Sequence, residues 1–165
     1  MPAYTTRILI TVSLPRVYRK GAMNPSPAYA VKPVPWAVHA ADLQAIRRAV
    51  FVVEQRVPEE EEWDDNDAVC QHVLALAGSL PIGTGRLLPD GHVGRMAVLK
   101  DWRGRGVGRA MLTLLLALAR QSGFTTVVLH AQTHALNFYI KQGFSAEGPE
   151  FMEAGIPHQL MRIRL

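Results

Sequence analysis

At 165 residues and 48% hydrophobic content, the chain holds one domain's worth of material, enough to bury a core. Its apolar runs are far too short to cross a bilayer, and its single cysteine, Cys70, excludes an internal disulfide and suits a reducing cytoplasm, where Cys70 is expected as a buried, inert thiol. The formal charge of +4 is uneven: residues 1–41 carry no acid while Glu54–Asp67 holds eight of the fourteen, and the absence of aromatic–basic interleaving or zinc spacing argues against nucleic acid.

From the N-terminus, residues 1–24 read as an extension. Ile8–Leu14 is weakly apolar and is followed by Pro15, Arg16, Arg19 and Lys20. Its short Thr/Ser-containing core lacks a nearby small-residue cleavage pattern, which argues against a secretory signal. The segment is expected to be disordered or an over-extended start, with Met23 as initiator, and 25–165 to form one domain. Tyr29–Val34 predicts a first strand. Leu43, Ile46, Val50 and Val53 fall at helical spacing behind a cap at Asp42. The acidic, proline-broken stretch to Asp67 is expected as a loop or short second helix. Val69–Ala77 and Ile82–Leu88 predict a hairpin across Gly78–Pro81. Val93–Leu99 reads as the central strand. Behind it, Val107, Ala110, Met111, Leu114, Leu115 and Leu118 line one face of a helix that Gly123 ends. A strand over 125–131, a helix over 134–142 and two strands near Phe144–Phe151 and Gln159–Leu165 complete the order.

The run between the central strand and its helix, Arg103-Gly104-Arg105-Gly106-Val107-Gly108-Arg109, carries the most chemistry. Glycines let the backbone approach a ligand, and the first N–H groups of a helix are unpaired donors at the positive end of its dipole. With three arginines they describe an anion site suited to a pyrophosphate. A Walker loop is excluded, since Gly108 is followed by Arg109 and Ala110 rather than Lys and Ser/Thr. A dinucleotide fingerprint is excluded too: the third glycine is replaced by Arg109, and no acid lies between Trp102 and Ala146 to hold a ribose. What remains is R-x-x-G-x-G, as Arg103, Gly106 and Gly108. Downstream, Ala135, Phe138, Tyr139, Lys141, Gly143 and Phe144 spell A-x-x-F-Y-x-K-x-G-F.

Both patterns, in this order, resemble the GNAT N-acetyltransferase superfamily. Val50-Phe51-Val52-Val53-Glu54-Gln55, W-D-D-N-D at 63–67 and G-I-P-H at 155–158 resemble its ElaA-like subfamily. The resemblance implies an α/β GNAT fold, with a central mixed, mostly antiparallel sheet of six to seven strands and about four helices. It implies acetyl-CoA as co-substrate and no metal. The pantetheine arm is expected along the backbone of Met96, Ala97 and Val98, near a bulge whose N–H faces the thioester oxygen. The pyrophosphate is expected against the N–H groups of Arg103, Gly104, Arg105, Gly106, Val107 and Gly108, and against Arg109. Gln132 stands where many relatives carry Asn for the cofactor amides, and Asn137 is a further cofactor contact or local cap. Tyr139 is the expected general acid, a phenol able to protonate a leaving thiolate.

The general base is less defined. Glu54 is the first candidate because it ends a helix bordering the acceptor cleft, with His72 and His158 as alternatives. Glu59–Glu62, Asp64 and Asp65 read either as a solvated face or as a lure for a cationic amine. Trp63 reads as a cation–π wall or a hydrophobic staple, and Arg95 as a holder of an acid or of an acceptor carboxylate. The acceptor expected is a primary amine on a small molecule or peptide, attacked directly in a ternary complex, since no activated Cys or Ser is visible. The resemblance also allows a homodimer. The rival readings are a non-catalytic acyl-CoA-binding sensor of the same fold and a nucleotide binder.

Overall fold

The computed structural model describes residues 28–165; the N-terminal extension expected over 1–24 lies outside them. Strand β1 (Ala30–Val34) carries Pro33 and ends at Pro35, which enters the first helix from an extended conformation (φ −74°, ψ 136°). Helix α1 therefore runs Trp36–Arg47, six residues ahead of the expected cap, and Asp42 lies inside it, beside His39 Nδ1 at 3.2 Å. The chain then widens into a π-helical stretch, Arg48–Glu54, closed by Gln55 N–H donating to Val50 C=O at 3.0 Å. That wider turn breaks the 3.6-residue stripe. Leu43, Ile46 and Val50 stay buried, whereas Val53 is 70% exposed.

The acidic stretch forms a single helical turn, α2 (Glu59–Glu62), and a 3-10 turn, Asp67–Val69. Strands β2 (Gln71–Ala77) and β3 (Leu80–Leu87) make the expected hairpin, with a tighter turn, since Ala77 pairs with Leu80 and Gly78 takes φ +61°. Strand β4 (Val93–Val98) follows, then α3 (Val107–Gln121), which ends before Gly123 at φ +84° as the sequence requires. Strand β5 (Thr126–Gln132), a 3-10 turn, the short helix α4 (Leu136–Ile140) and strands β6 (Ser145–Glu153) and β7 (Ile156–Arg164) complete the fold.

The seven strands divide into two hydrogen-bonded antiparallel groups, β1-β2-β3-β4 and β5-β7-β6. Among the described residues, a parallel bridge from His92, just ahead of β4, to Val128 of β5 joins the two groups. Beyond it the two strands part, and the gap is where the site lies. Alternation sorts β2 between two cores: Val73 and Ala75 face α3 and Leu74 faces α1. Helix α3 buries Val107, Met111, Leu112, Leu115, Leu116 and Ala119, while Ala110, Leu114 and Leu118 flank that stripe. Each fully buried leucine contributes about 1.5–3 kcal/mol. The helix comes this close because β3 carries Gly83 and Gly85: a Cβ there would stand 3.0 Å from Met111 Sδ and from Leu115 Cδ1 respectively.

Candidate active site

The site begins with a fault in a strand. Between Ala97 and Gly94, β4 places Arg95 and Met96 opposite the single residue Gly85 of β3, a β-bulge with Arg95 in the left-handed region at φ +50°. The bulge interrupts the pairing of β4 with β3, and the opposite edge of β4, the end strand of its group, faces the gap to β5. Two clefts open there. One, of about 450 Å³, is lined by Gly104, Gly106, Val107, Gly108, Arg109 and Phe138. The other, of about 790 Å³, is lined by Glu54, Gln55, Arg86, Arg95 and residues of β5 and β7. They share Met96, Ala97, Val98, Arg103, Ala135 and Tyr139. The glycine-rich cleft and the charged cleft therefore adjoin, and the β4 backbone and a tyrosine line both.

At the glycine-rich end, Gly104 (φ +72°) and Gly106 (φ +84°) hold conformations that other residues adopt at a cost. Gly106 is the N-cap of α3, no side chain caps the helix, and its first internal bond runs from Ala110 N to Gly106 O at 3.0 Å. The N–H groups between are thus open to an anion. Arg109 lines this cleft. Arg105 does not; it is exposed, with its guanidinium over the Trp102 ring at 5.0 Å. Asn137 is exposed and lines neither cleft.

Two expected cofactor residues are engaged elsewhere. Arg103 donates Nε to Val98 C=O at 2.9 Å and clasps Glu54 through Nη1 (2.6 Å) and Nη2 (2.8 Å). That bidentate pair holds the Glu54 carboxyl below its ordinary range, so Glu54 is a weaker base than its place in the chain suggests. Gln132 exchanges two amide hydrogen bonds with Gln55, at 2.8 and 3.1 Å, and lines the charged cleft. Tyr139 points its hydroxyl at Met96 Sδ, 3.8 Å away, between the rings of Phe138 and Phe144. Burial pushes its phenol up to about 12, so it is protonated at neutral pH.

The acid run is partly a buried ion network. Arg47, 1% exposed, donates Nε to Glu62 at 2.5 Å and Nη1 to both oxygens of Asp67. Arg86 bridges Asp67 (2.7 Å) and Asp64 (2.6 and 2.8 Å). Arg95 joins more loosely, 3.3 Å from Glu62 and 3.6 Å from Asp64. Arg86 holds Asp64 well below the usual carboxylate range, while burial pushes Glu62 up. Only Glu59, Glu60, Glu61 and Asp65 form the expected solvated face. Trp63 serves the chain's own cations, with Arg47 and Arg48 over its ring at 5.1 and 5.5 Å. His72 is buried outside both clefts, stacked on Trp36 and bonded through Nε2 to Asp67 C=O. Cys70 is half-buried and burial raises its thiol, in keeping with an inert group.

The charged cleft also gathers His92, His130, His134 and His158. The sequence signals for these were faint: a strand histidine is common, and only G-I-P-H marked one of them. Arg47 and Arg86 were missed altogether, though each sits at an apolar position, Arg47 four residues after Leu43 and Arg86 before Leu87. Among the described residues, no group of three or more His, Cys, Asp or Glu is placed to hold a metal, and no helix is long and apolar enough to cross a membrane.

Comparison with known proteins places this geometry. Residues 39–165 match the family model described as an acetyltransferase (GNAT) domain. The chain is 40% identical over 122 residues to YjcF of Bacillus subtilis, an uncharacterized N-acetyltransferase, covering 71% of this chain and 87% of that one. It is 32% identical over 124 residues to ElaA of Escherichia coli, covering 70% and 81%. The crystal structure of Escherichia coli ElaA superposes with a TM-score of 0.73 over 82% of this chain and 99% of that one, at 27% identity. An acyl-CoA N-acyltransferase from Pseudomonas aeruginosa gives 0.67 over 83% and 99%, at 31% identity.

Proposed function

The chain belongs to the GNAT acetyltransferase family, whose members transfer an acyl group from acyl-CoA, and from that premise we propose that it acetylates a primary amine with acetyl-CoA by direct attack in a ternary complex. The observation that carries the proposal is the meeting of the two clefts at Met96–Val98 and Tyr139, which lets donor and acceptor arrive through one cleft each. The open N–H groups at the start of α3, with Arg109, suit the donor's pyrophosphate. The edge of β4 that faces the gap suits its amide-bearing arm, which would run as an added strand, with the backbone at the bulge towards the thioester oxygen. Tyr139, protonated and aimed at the shared zone, supplies the proton for the leaving thiolate. Donor binding asks Arg103 to turn from Val98 C=O, and Gln132 to part from Gln55 if it is to reach the donor's amides.

The test is release of CoA from acetyl-CoA by the purified chain, across polyamines, amino acids, aminoglycosides and peptides with free Lys or N-terminal amines. Amine-dependent release is expected. Tight acetyl-CoA binding with no release for any amine would make the chain an acyl-CoA sensor, and no binding would overturn the donor site.

A further inference from the structure

Resting on the transferase reading, the geometry points to His158 as the catalytic base that deprotonates the acceptor amine. It stands on β7 as the direct cross-strand partner of Gln132 and of Phe151, in the middle of the three-stranded group. Directly paired residues on one face have Cβ atoms about 4.5–5.5 Å apart. His158 therefore lies one strand spacing from Gln132, the residue at the mouth of the gap where β4 and β5 part. It lines the charged cleft and not the glycine-rich one, so it is on the side from which the acceptor arrives.

Its tautomer is fixed. Nδ1 stands 2.8 Å from Ile156 C=O, and a carbonyl can only accept, so Nδ1 carries the proton. The neutral ring then keeps its lone pair on Nε2, free to take a proton. The ring is 8% exposed and Phe151 stacks on it with 6.1 Å between centroids, which restricts its motion. The alternatives are occupied: Arg103 clasps Glu54, and His72 lies outside both clefts. From the elements packed against β7, the titratable groups on this cleft are His130, His134 and Glu153. His130 and Glu153 engage each other at 2.8 Å, which leaves His158 without a carboxylate partner. Tyr139 and the Arg103–Glu54 pair close the cleft beyond.

The step balances. The acceptor ammonium gives one proton to His158 Nε2. The freed nitrogen lone pair forms the C–N bond at the thioester carbon as the C–S bond breaks. Tyr139 gives its proton to the departing thiolate and recovers one from the nitrogen, and His158 returns its proton to water. The products are an acetamide, a free thiol and one proton.

The experiment compares the chain with H158Q and H158A, reading kcat/KM against pH with the best amine found, and acetyl-CoA binding in parallel. For the unaltered chain an acid limb is expected, since a protonated base accepts nothing. H158Q should lose roughly 100-fold near pH 7, lack that limb and bind acetyl-CoA within about twofold, as an intact donor site requires. Added imidazole should restore part of the rate in H158A. An H158Q variant with full rate and the same limb overturns the base and leaves the transferase standing. An unaltered chain that binds acetyl-CoA but acetylates no amine overturns both.

Discussion

The glycine-rich cleft comes mostly from one stretch, Met96–Arg109, closed by Ala135, Phe138, Tyr139 and Gln142, whereas the charged cleft is assembled by pairs far apart in the chain. Arg47 meets Glu62 and Asp67 at separations of 15 and 20 residues, Arg86 meets Asp64 at 22, and Gln55 meets Gln132 at 77. The first end works through backbone: left-handed glycines, open N–H groups and a strand edge. The second works through side chains held by other side chains. A backbone device needs small residues at fixed spacing, so it tolerates little change and recognises a constant ligand. A side-chain device can be rewired one pair at a time, so it can be fitted to different ligands.

If that division is correct, the largest effect belongs to the backbone end. Gly106→Glu puts a side chain where φ is +84° and where a Cβ would stand 3.1 Å from Tyr29 Oη, and it sets a negative charge at the start of α3. Acetyl-CoA affinity should fall by roughly 100-fold or more, about 2.7 kcal/mol. Calorimetric titration checks it, with Gly106→Ala separating backbone strain from charge. Retained affinity in the Glu variant would remove the loop from donor binding. Next comes Tyr139→Phe at the junction. Turnover should drop by about 100-fold with acetyl-CoA affinity within about twofold, because only the proton is lost. Equal turnover would show that the thiolate leaves without it. Since the phenol sits at about 12, no alkaline limb from Tyr139 is expected below pH 10.

The same division explains what could be read from the sequence. The glycine run, the helix after it and the A-x-x-F-Y run are local; α3 begins where expected, while the helix expected over 134–142 shortens to a 3-10 turn and α4 (Leu136–Ile140). All seven described strands began within about three residues of expectation for the same reason: alternation and turn residues are local signals. The start of α1 was missed because Pro35 takes the cap position from Asp42, and Val53 was misplaced because a π-helical turn shifts the stripe. The ion network was invisible for a different reason. Nothing near Glu62 or Asp67 announces that Arg47 and Arg86 are folded against them, so the acid run resembled a solvated face. The division of the strands into two groups is likewise a long-range event, settled by where β7 inserts between β5 and β6.

A third, smaller effect probes the charged end alone. Asp64→Asn removes one carboxylate from Arg86, which keeps Asp67. Stability at pH 7 should fall by about 1.5–3 kcal/mol, the range for hydrogen bonds to charged groups. Because Arg86 holds Asp64 below its ordinary value, that contribution is fully present above the unfolded value near ~3.9 and is lost as pH falls beneath it. Glu62, which burial shifts the other way, is present in both proteins and cancels in the difference. Denaturant titrations from pH 7 to pH 3 should therefore show the two proteins converging. A gap that stays constant with pH would mean that Asp64 acts by shape rather than charge.

The smallest effect concerns a residue that crosses the division. Arg103 belongs by sequence to the backbone end, yet its guanidinium is held by Glu54 from the charged end and by Val98 C=O. Both partners of the Arg103–Glu54 pair are about two-fifths exposed, at 40% and 38%, so breaking it should cost little stability, about 0.2–1 kcal/mol. Its consequence should lie in donor binding. In Glu54→Gln the competing charge is gone, and Arg103 is freer to turn to the pyrophosphate. CoA affinity should rise by roughly threefold, about 0.7 kcal/mol, with a steeper loss on adding salt. Pantetheine, which lacks the pyrophosphate, should gain nothing. An equal gain for pantetheine would mean that Glu54→Gln merely opens the cleft. No gain for either would leave Arg103 a strut between the two ends rather than a phosphate ligand held in reserve.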